Sequence, residues 1–319
     1  MKSIFIKKHA LILLLLVIVG CDDGFSPKGS FENGYSFFCI INGNTSVQKA
    51  YVAKNYNPPN IVPGTFEGEK SIPNAKVSLF YNNSSFSFYD STLLSEEDGR
   101  VYYSYFLENF SVSENQMTIV VELDDGSVLS SNAMCTGNLR FSYDSQKNIV
   151  YNLKDAYRVA FYDKNDAFYF SPKLFINYEE KIGNAVINKR IEVPRRYLIN
   201  GNDVIPEYPD LAERLDFYYP ILMIENTLNS IKESALQNSI IVINNLTLEV
   251  LEVSEPLAAY FEVNKTFNDG FTIKSQQPEY SNINGGKGIF GYKYTSVLNV
   301  GLDKSWENLI ADMGYLFLR

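Results

Sequence analysis

The chain has 319 residues, with 28 Lys and Arg against 37 Asp and Glu, three Cys, one Trp and a single His. At 45% hydrophobic and 14% aromatic residues it is too apolar to stay disordered, and long enough for about two folded domains. A net charge of −9 argues against a nucleic-acid partner, three Cys exclude a disulfide-dense scaffold, and one His excludes a metal site built on paired imidazoles.

Lys2, Lys7 and Lys8 precede an apolar run from Ala10 to Val19, which ends at Gly20-Cys21. A basic flank, a short apolar stretch and a small residue at the cut describe a secretory signal over residues 1–20. The run is too short to span a bilayer, which takes about 20 residues. Ile18-Val19-Gly20-Cys21 looks like a bacterial lipobox, with Cys21 as the acylated first residue of the mature chain. Two or three acyl chains on one Cys give a stable membrane anchor, where a single chain is marginal. Removing the signal takes away three Lys and the only His, so the mature chain has no imidazole and its net charge moves from −9 to −12. Asp22, Asp23, Gly24, Ser26, Pro27, Gly29 and Ser30 read as a flexible tether over residues 21–34. The acidic pair after the anchor resembles the surface-export signal of Bacteroidota lipoproteins.

Short β-type runs then follow one another at close spacing. Tyr35–Ile41 and Val47–Lys54 flank Asn42-Gly43 as a hairpin. Ala75–Tyr81 alternates and breaks at Asn82-Asn83-Ser84-Ser85, and Phe86–Leu94 and Val101–Phe106 flank Asp98-Gly99. Met117–Leu123 and Ser127–Met134 form a second hairpin on Asp124-Asp125-Gly126. Seven strands in about 100 residues is the rhythm of an Ig-like sandwich, expected over residues 35–137. Residues 138–319 read as a second β-rich domain with one or two short helices. Here Ile149–Tyr162 and Phe168–Tyr178 are expected to pair across Asp163-Lys164-Asn165-Asp166, and Ser239–Val253 is a long strand run interrupted by Asn244-Asn245. Ser254-Glu255-Pro256 reads as a helix start, with Asn268-Asp269-Gly270 as its stop. Shorter helical turns are expected at Pro209–Leu215 and Ser305–Asp312, and Gly288–Val300 reads as a final strand. The fold class expected is therefore mainly β.

Several stretches together resemble one family. They are the lipobox, Phe37 to Gly43, Ile72-Pro73-Asn74-Ala75-Lys76-Val77-Ser78-Leu79, Asp163 to Phe170, the Ser254-Glu255-Pro256 helix start with Tyr260, and above all Pro278 to Gly291. The most distinctive part carries Asn282, Ile283, Gly285, Gly286, Gly288 and Phe290. The chain resembles the Bacteroidota outer-membrane lipoproteins grouped as domain of unknown function 4249. The resemblance implies a membrane-anchored accessory, often encoded beside a TonB-dependent β-barrel transporter, with no assigned catalytic residues and no cofactor. It also implies a prealbumin-like form of the first sandwich. The loop expected from Arg195 to Glu207 has no counterpart in the family pattern.

Each candidate site has a plainer alternative. Gly285-Gly286-Lys287-Gly288 lacks the Ser or Thr and the following helix of a phosphate loop, and reads as a left-handed turn that admits close backbone packing. Ser46-Val47-Gln48-Lys49 has its Ser and Lys on opposite faces of a strand, which rules out the Ser-x-x-Lys nucleophile arrangement. The acids at Asp124-Asp125 and Asp163–Asp166 lack the spacing of a calcium loop and read as turn chemistry. Glu96-Glu97 and Glu179-Glu180 raise a carboxylate-only hydrolase as the weakest of three functional readings. Cys39 and Cys135 are either a disulfide in an oxidising compartment or two small buried hydrophobes. The leading expectation is a non-catalytic, lipid-anchored outer-membrane protein, facing the surface, that accompanies a TonB-dependent transporter. The alternative is a stand-alone glycan-binding or adhesion module.

Overall fold

Phe37, Cys39 and Ile41 alternate with more exposed neighbours, so strand β1 (Tyr35–Asn42) buries one face and pairs antiparallel with β2 (Gln48–Lys54). A computed structural model of the protein describes residues 34–55, 71–94, 101–113, 115–135, 139–162, 168–201, 203–266 and 280–317. Contacts divide the chain into two units; that of residues 1–33 and 55–70 falls, apart from Asn55, outside the described residues. The account below concerns the other, residues 34–54 with 71–319. Strand makes up 57% and helix 15% of the described residues, so the fold is mainly β.

The seven expected N-terminal runs all form strands. They appear as eight because the run Phe86–Leu94 splits. β3 (Lys76–Tyr81), β4 (Ser84–Ser87), β5 (Tyr89–Leu94), β6 (Val101–Leu107), β7 (Asn115–Glu122) and β8 (Val128–Cys135) follow β1 and β2. β4 pairs with β3, while β5 pairs with β6, so the chain changes sheet at Phe88, whose N–H donates to the Val77 carbonyl at 2.9 Å. One layer has the order β1-β2-β6-β5 and the other β4-β3-β7-β8. Phe37, Cys39, Ile41 and Val52 from the first share one core with Val77, Leu79, Ile119 and Leu129 from the second. Tyr105 is wholly buried there: its hydroxyl accepts from the Ala75 N–H at 2.9 Å and donates to the Ile72 carbonyl, fixing the entry to β3.

In the second half, β9 (Arg140–Phe141), β10 (Ala156–Tyr162) and β15 (Asp216–Pro220) form a three-stranded sheet ordered β15-β10-β9. β11 (Phe168–Ile182) pairs with β12 (Ala185–Glu192) on one side and β16 (Ile240–Ser254) on the other. β10 and β11 therefore do not pair with each other. The turn chemistry at Asp163–Asp166, which lies outside the described residues, does not make them a hairpin: their backbone partners come from distant strands. The run from Ile149 is also shorter than expected, since Ile149 forms only an isolated bridge to Leu302 before β10 begins at Ala156. Asn244-Asn245 sits at a register shift in β16 that re-phases the buried side chains from Ile241 and Ile243 to Leu246, Leu248 and Val250.

β13 (Arg196–Asn200) and β14 (Asp203–Glu207) form a two-stranded hairpin with Gly201 left-handed at its turn. Pro209–Leu215 is not helical; Ala212 instead exchanges two backbone hydrogen bonds with Phe170. The helix lies further on, as α1 (Ile221–Ser234), with Ile221, Ile224, Leu228 and Ile231 buried along one face. α2 (Glu255–Thr266) begins where the Ser-Glu-Pro start places it, and its expected stop at Asn268–Gly270 lies outside the described residues. β17 (Lys287–Val300), a 3-10 turn over Lys304–Trp306, α3 (Glu307–Asp312) and β18 (Leu316–Phe317) complete the chain. β17 runs antiparallel to β16 and parallel to β1. One nine-stranded sheet thus continues from residues 35–137 into residues 138–319.

Candidate functional site

The Gly-rich motif lies where the two halves meet. The Asn282 side chain spans Phe290 like a missing strand residue: its Oδ1 accepts from the Phe290 N–H at 2.9 Å and its Nδ2 donates to the Phe290 carbonyl at 2.7 Å. The Asn282 carbonyl accepts from Ser131 Oγ at 2.7 Å, and Asn284 exchanges two backbone bonds with Ser130 on β8. Ile283 and Phe290 are buried in the adjoining cores. From Lys287 onward the chain pairs with β1 in the opposite layer. The motif therefore stitches the two layers of the first sandwich together.

Its glycines are there for space. A Cβ on Gly288 (φ +119°) would stand 2.0 Å from the Phe37 carbonyl oxygen, and one on Gly285 (φ +79°) 2.5 Å from that of Val128. One on Gly286 would meet the Tyr35 oxygen at 2.7 Å. Close backbone approach accounts for all three, as the plainer sequence reading held.

Cys39 and Cys135 are free thiols, both buried, on β1 and β8. Burial pushes the Cys39 thiol up to about 12 and Cys135 to about 11, far from the thiolate that nucleophilic chemistry needs. Cys135 Sγ donates to the carbonyls of Ser113 and Asn115 at 2.9 and 2.8 Å. Cys21 and Glu96-Glu97 lie outside the described residues. Asp125 is occupied as a turn residue, accepting from the Tyr35 hydroxyl and from the Ser127 N–H.

Glu179 and Glu180 point to opposite faces of β11. Glu179 pairs with Lys181 at 3.0 Å, while Glu180 is fully buried on the core side. Lys189 donates to Glu180, and the Leu236 N–H donates to it at 2.6 Å; these bonds hold its carboxyl down to about 2. A carboxylate depressed below its ordinary value stabilises the fold fully above about pH 4.5, and that contribution is lost as pH falls toward 2. Glu180→Gln is expected to lower the urea midpoint at pH 7, and the gap to wild type should narrow steadily between pH 5 and pH 2.5. A gap independent of pH would contradict the assigned role.

Two surface features were not legible as sites from sequence. The first is an uncharged cleft of 690 Å³ at the β3–β4 turn, lined by Phe80, Asn82, Asn83, Ser85, Gln116 and Thr118 among others. Asn82 and Asn83 are both left-handed, at φ +50° and +59°, which makes a tight hairpin turn that Asn tolerates. A second depression of 270 Å³ shares Tyr81, Asn82 and Ser84 with it and continues past Phe86, Asn109 and Ser111. The second feature is the β13–β14 hairpin, which neither face of the larger sheets covers by strand pairing. Ile199 is 81% exposed and Val204 63%, and these two are paired across the ribbon. The stretch expected as a loop from Arg195 to Glu207 is therefore a paired ribbon, because Arg196–Asn200 and Asp203–Glu207 hydrogen-bond to each other across Gly201. Compared with protein-family models and with curated proteins, the chain matches none.

Proposed function

We propose that the protein is a non-catalytic, lipid-anchored outer-membrane lipoprotein of the kind grouped as domain of unknown function 4249. In this reading it is held by acylated Cys21 and accompanies a TonB-dependent β-barrel transporter as a ligand-binding accessory. The observation that carries the reading is the lipobox Ile18–Cys21 behind a basic, short apolar signal. Removal of that signal leaves a mature chain without histidine. The core built from β1–β8 supports an Ig-like, prealbumin-like sandwich for the N-terminal half, with the later strands as a β-rich extension. The exposed Ile199–Val204 ribbon is the contact offered to the barrel. A stand-alone surface glycan-binding module is the second reading, and the uncharged cleft beside Phe80 favours it.

Pull-down of the tagged, full-length protein from native outer membranes tests the two. A β-barrel transporter is expected to co-purify, and Ile199→Asp with Val204→Asp to reduce its yield several-fold. Cys21→Ser should release the protein from the membrane fraction. Absence of any barrel above background would remove the accessory role, and membrane retention of the Cys21→Ser variant would remove the lipid anchor.

A further inference from the structure

We infer that the cleft on the two sides of the Asn82–Asn83 turn binds a neutral oligosaccharide. The inference rests on the binding-protein reading above and supplies the class of ligand.

The outer face of the β4-β3-β7-β8 sheet is free of charge over three cross-strand rows. Strand register places Ser87, Ser78, Val120 and Ser130 in one row, then Ser85, Phe80, Thr118 and Asn132, then Gln116 beside Met134. Among the described residues, the first charges met along the strands are the Lys76–Glu122 ion pair at 2.9 Å, at the end away from the turn. One residue in five of this chain is charged, so such a face disfavours ionic ligands, which would find no counter-charge among the described residues of these rows. Lipid is no better suited, because the lining is dominated by amides and hydroxyls.

A sugar ring presents an apolar C–H face and a rim of hydroxyls that both donate and accept. The cleft offers the complement of each. Phe80, 45% exposed, stands between Ser85 and Thr118 as an aromatic platform. The carboxamides of Asn83 and Gln116, which both donate and accept, have no side-chain partner among the described residues. Their surroundings are already fixed. Asn115 donates to Asn82 and accepts from the Gln116 N–H at 2.8 Å, and Thr118 donates to Asn132 at 2.7 Å. Tyr81 is held by Ser113, so the ridge between the two depressions is braced from below. A site ordered before binding spends less of its contact energy on ordering. Depressions of 690 and 270 Å³ sharing one ridge suit a chain of sugars that crosses the turn, not a single ring.

The test is titration calorimetry on the full-length lipidated protein in a detergent without a sugar headgroup. The probes are maltohexaose, mannohexaose and chitohexaose, with hexagalacturonate as the charged comparison. At least one neutral hexasaccharide is expected to bind with a Kd below about 1 mM. Phe80→Ala should weaken it about tenfold or more. Asn83→Gly, which keeps the left-handed turn and removes only the amide, should also weaken it, while Glu122→Gln at the far end should not. Failure of all three neutral probes, equal binding of hexagalacturonate, or unchanged affinity in both Phe80→Ala and Asn83→Gly would overturn the inference. Co-purification of a barrel without saccharide binding would overturn this inference alone; saccharide binding without a barrel would overturn the accessory role alone.

Discussion

Gly288→Ala is expected to destabilise the protein by about 3–5 kcal/mol, read as a lower urea midpoint at unchanged slope. Two costs combine at this position. The backbone is held at φ +119°, a region that L side chains rarely adopt, and the new Cβ would lie 2.0 Å from the Phe37 carbonyl oxygen. Relief requires β17 to move away from β1, which would break the parallel pairing from Ser36↔Lys287 to Asn42↔Lys293. Gly126 separates the two costs. It is also left-handed, at φ +83°, but nothing lies within 4 Å of an added Cβ. Gly126→Ala should therefore cost only the backbone strain, about 1–2 kcal/mol. Equal losses in the two variants would mean that close packing against Phe37 is not what Gly288 provides.

Trp306→Ala should cost about 3–5 kcal/mol, the usual price of emptying a large buried aromatic site. The indole is wholly buried, its Nε1 donates to the Ile149 carbonyl at 2.9 Å, and its ring meets Tyr151 edge-on at 4.9 Å. Beside it the Tyr151 N–H donates to Ser305 Oγ, and Ile149 bridges Leu302. The C-terminal turn is thus clamped to the segment before β10. Trp306→Phe keeps most of the ring volume and forfeits the hydrogen bond, so a loss of about 1–3 kcal/mol is expected. Circular dichroism should follow both variants, since Trp306 is the only Trp and its removal abolishes indole emission. A Trp306→Ala loss below that of Trp306→Phe would refute the packing role.

The N-terminal strands were legible because alternation and turn residues agree there: Phe37, Cys39 and Ile41 point one way, and Asp124-Asp125-Gly126 closes a hairpin. Local signals of this kind say where a chain reverses and not which strand it joins. That is why Asp163–Asp166 suggested a pairing of β10 with β11 that their partners β15 and β16 pre-empt. Ser254 shows the same limit at one residue. It directly precedes α2, where the helix start places it, yet it is also the buried last residue of β16, and its hydroxyl accepts from the Tyr292 N–H at 3.0 Å. Helix α1 carried a readable apolar spacing, Ile221, Ile224, Leu228 and Ile231, but it follows Pro220 with no side-chain cap and so lacks a start signal. The Gly motif reads from sequence as close packing, but the carbonyls it accommodates, on Tyr35, Phe37 and Val128, are remote in sequence. The cleft was out of reach for a related reason. Asn82-Asn83 announced only a turn, and Phe80 meets Thr118 and Asn132 through register alone.

The position of β1 has a mechanical consequence. If the chain is held by acylated Cys21 as proposed, β1 is the first strand of the described fold that a load on that anchor reaches. That strand is gripped on both sides, by β2 and by β17. A pull along that strand would load the seven paired positions between β1 and β17 together in shear, where a pull across its axis would unzip them one bond at a time.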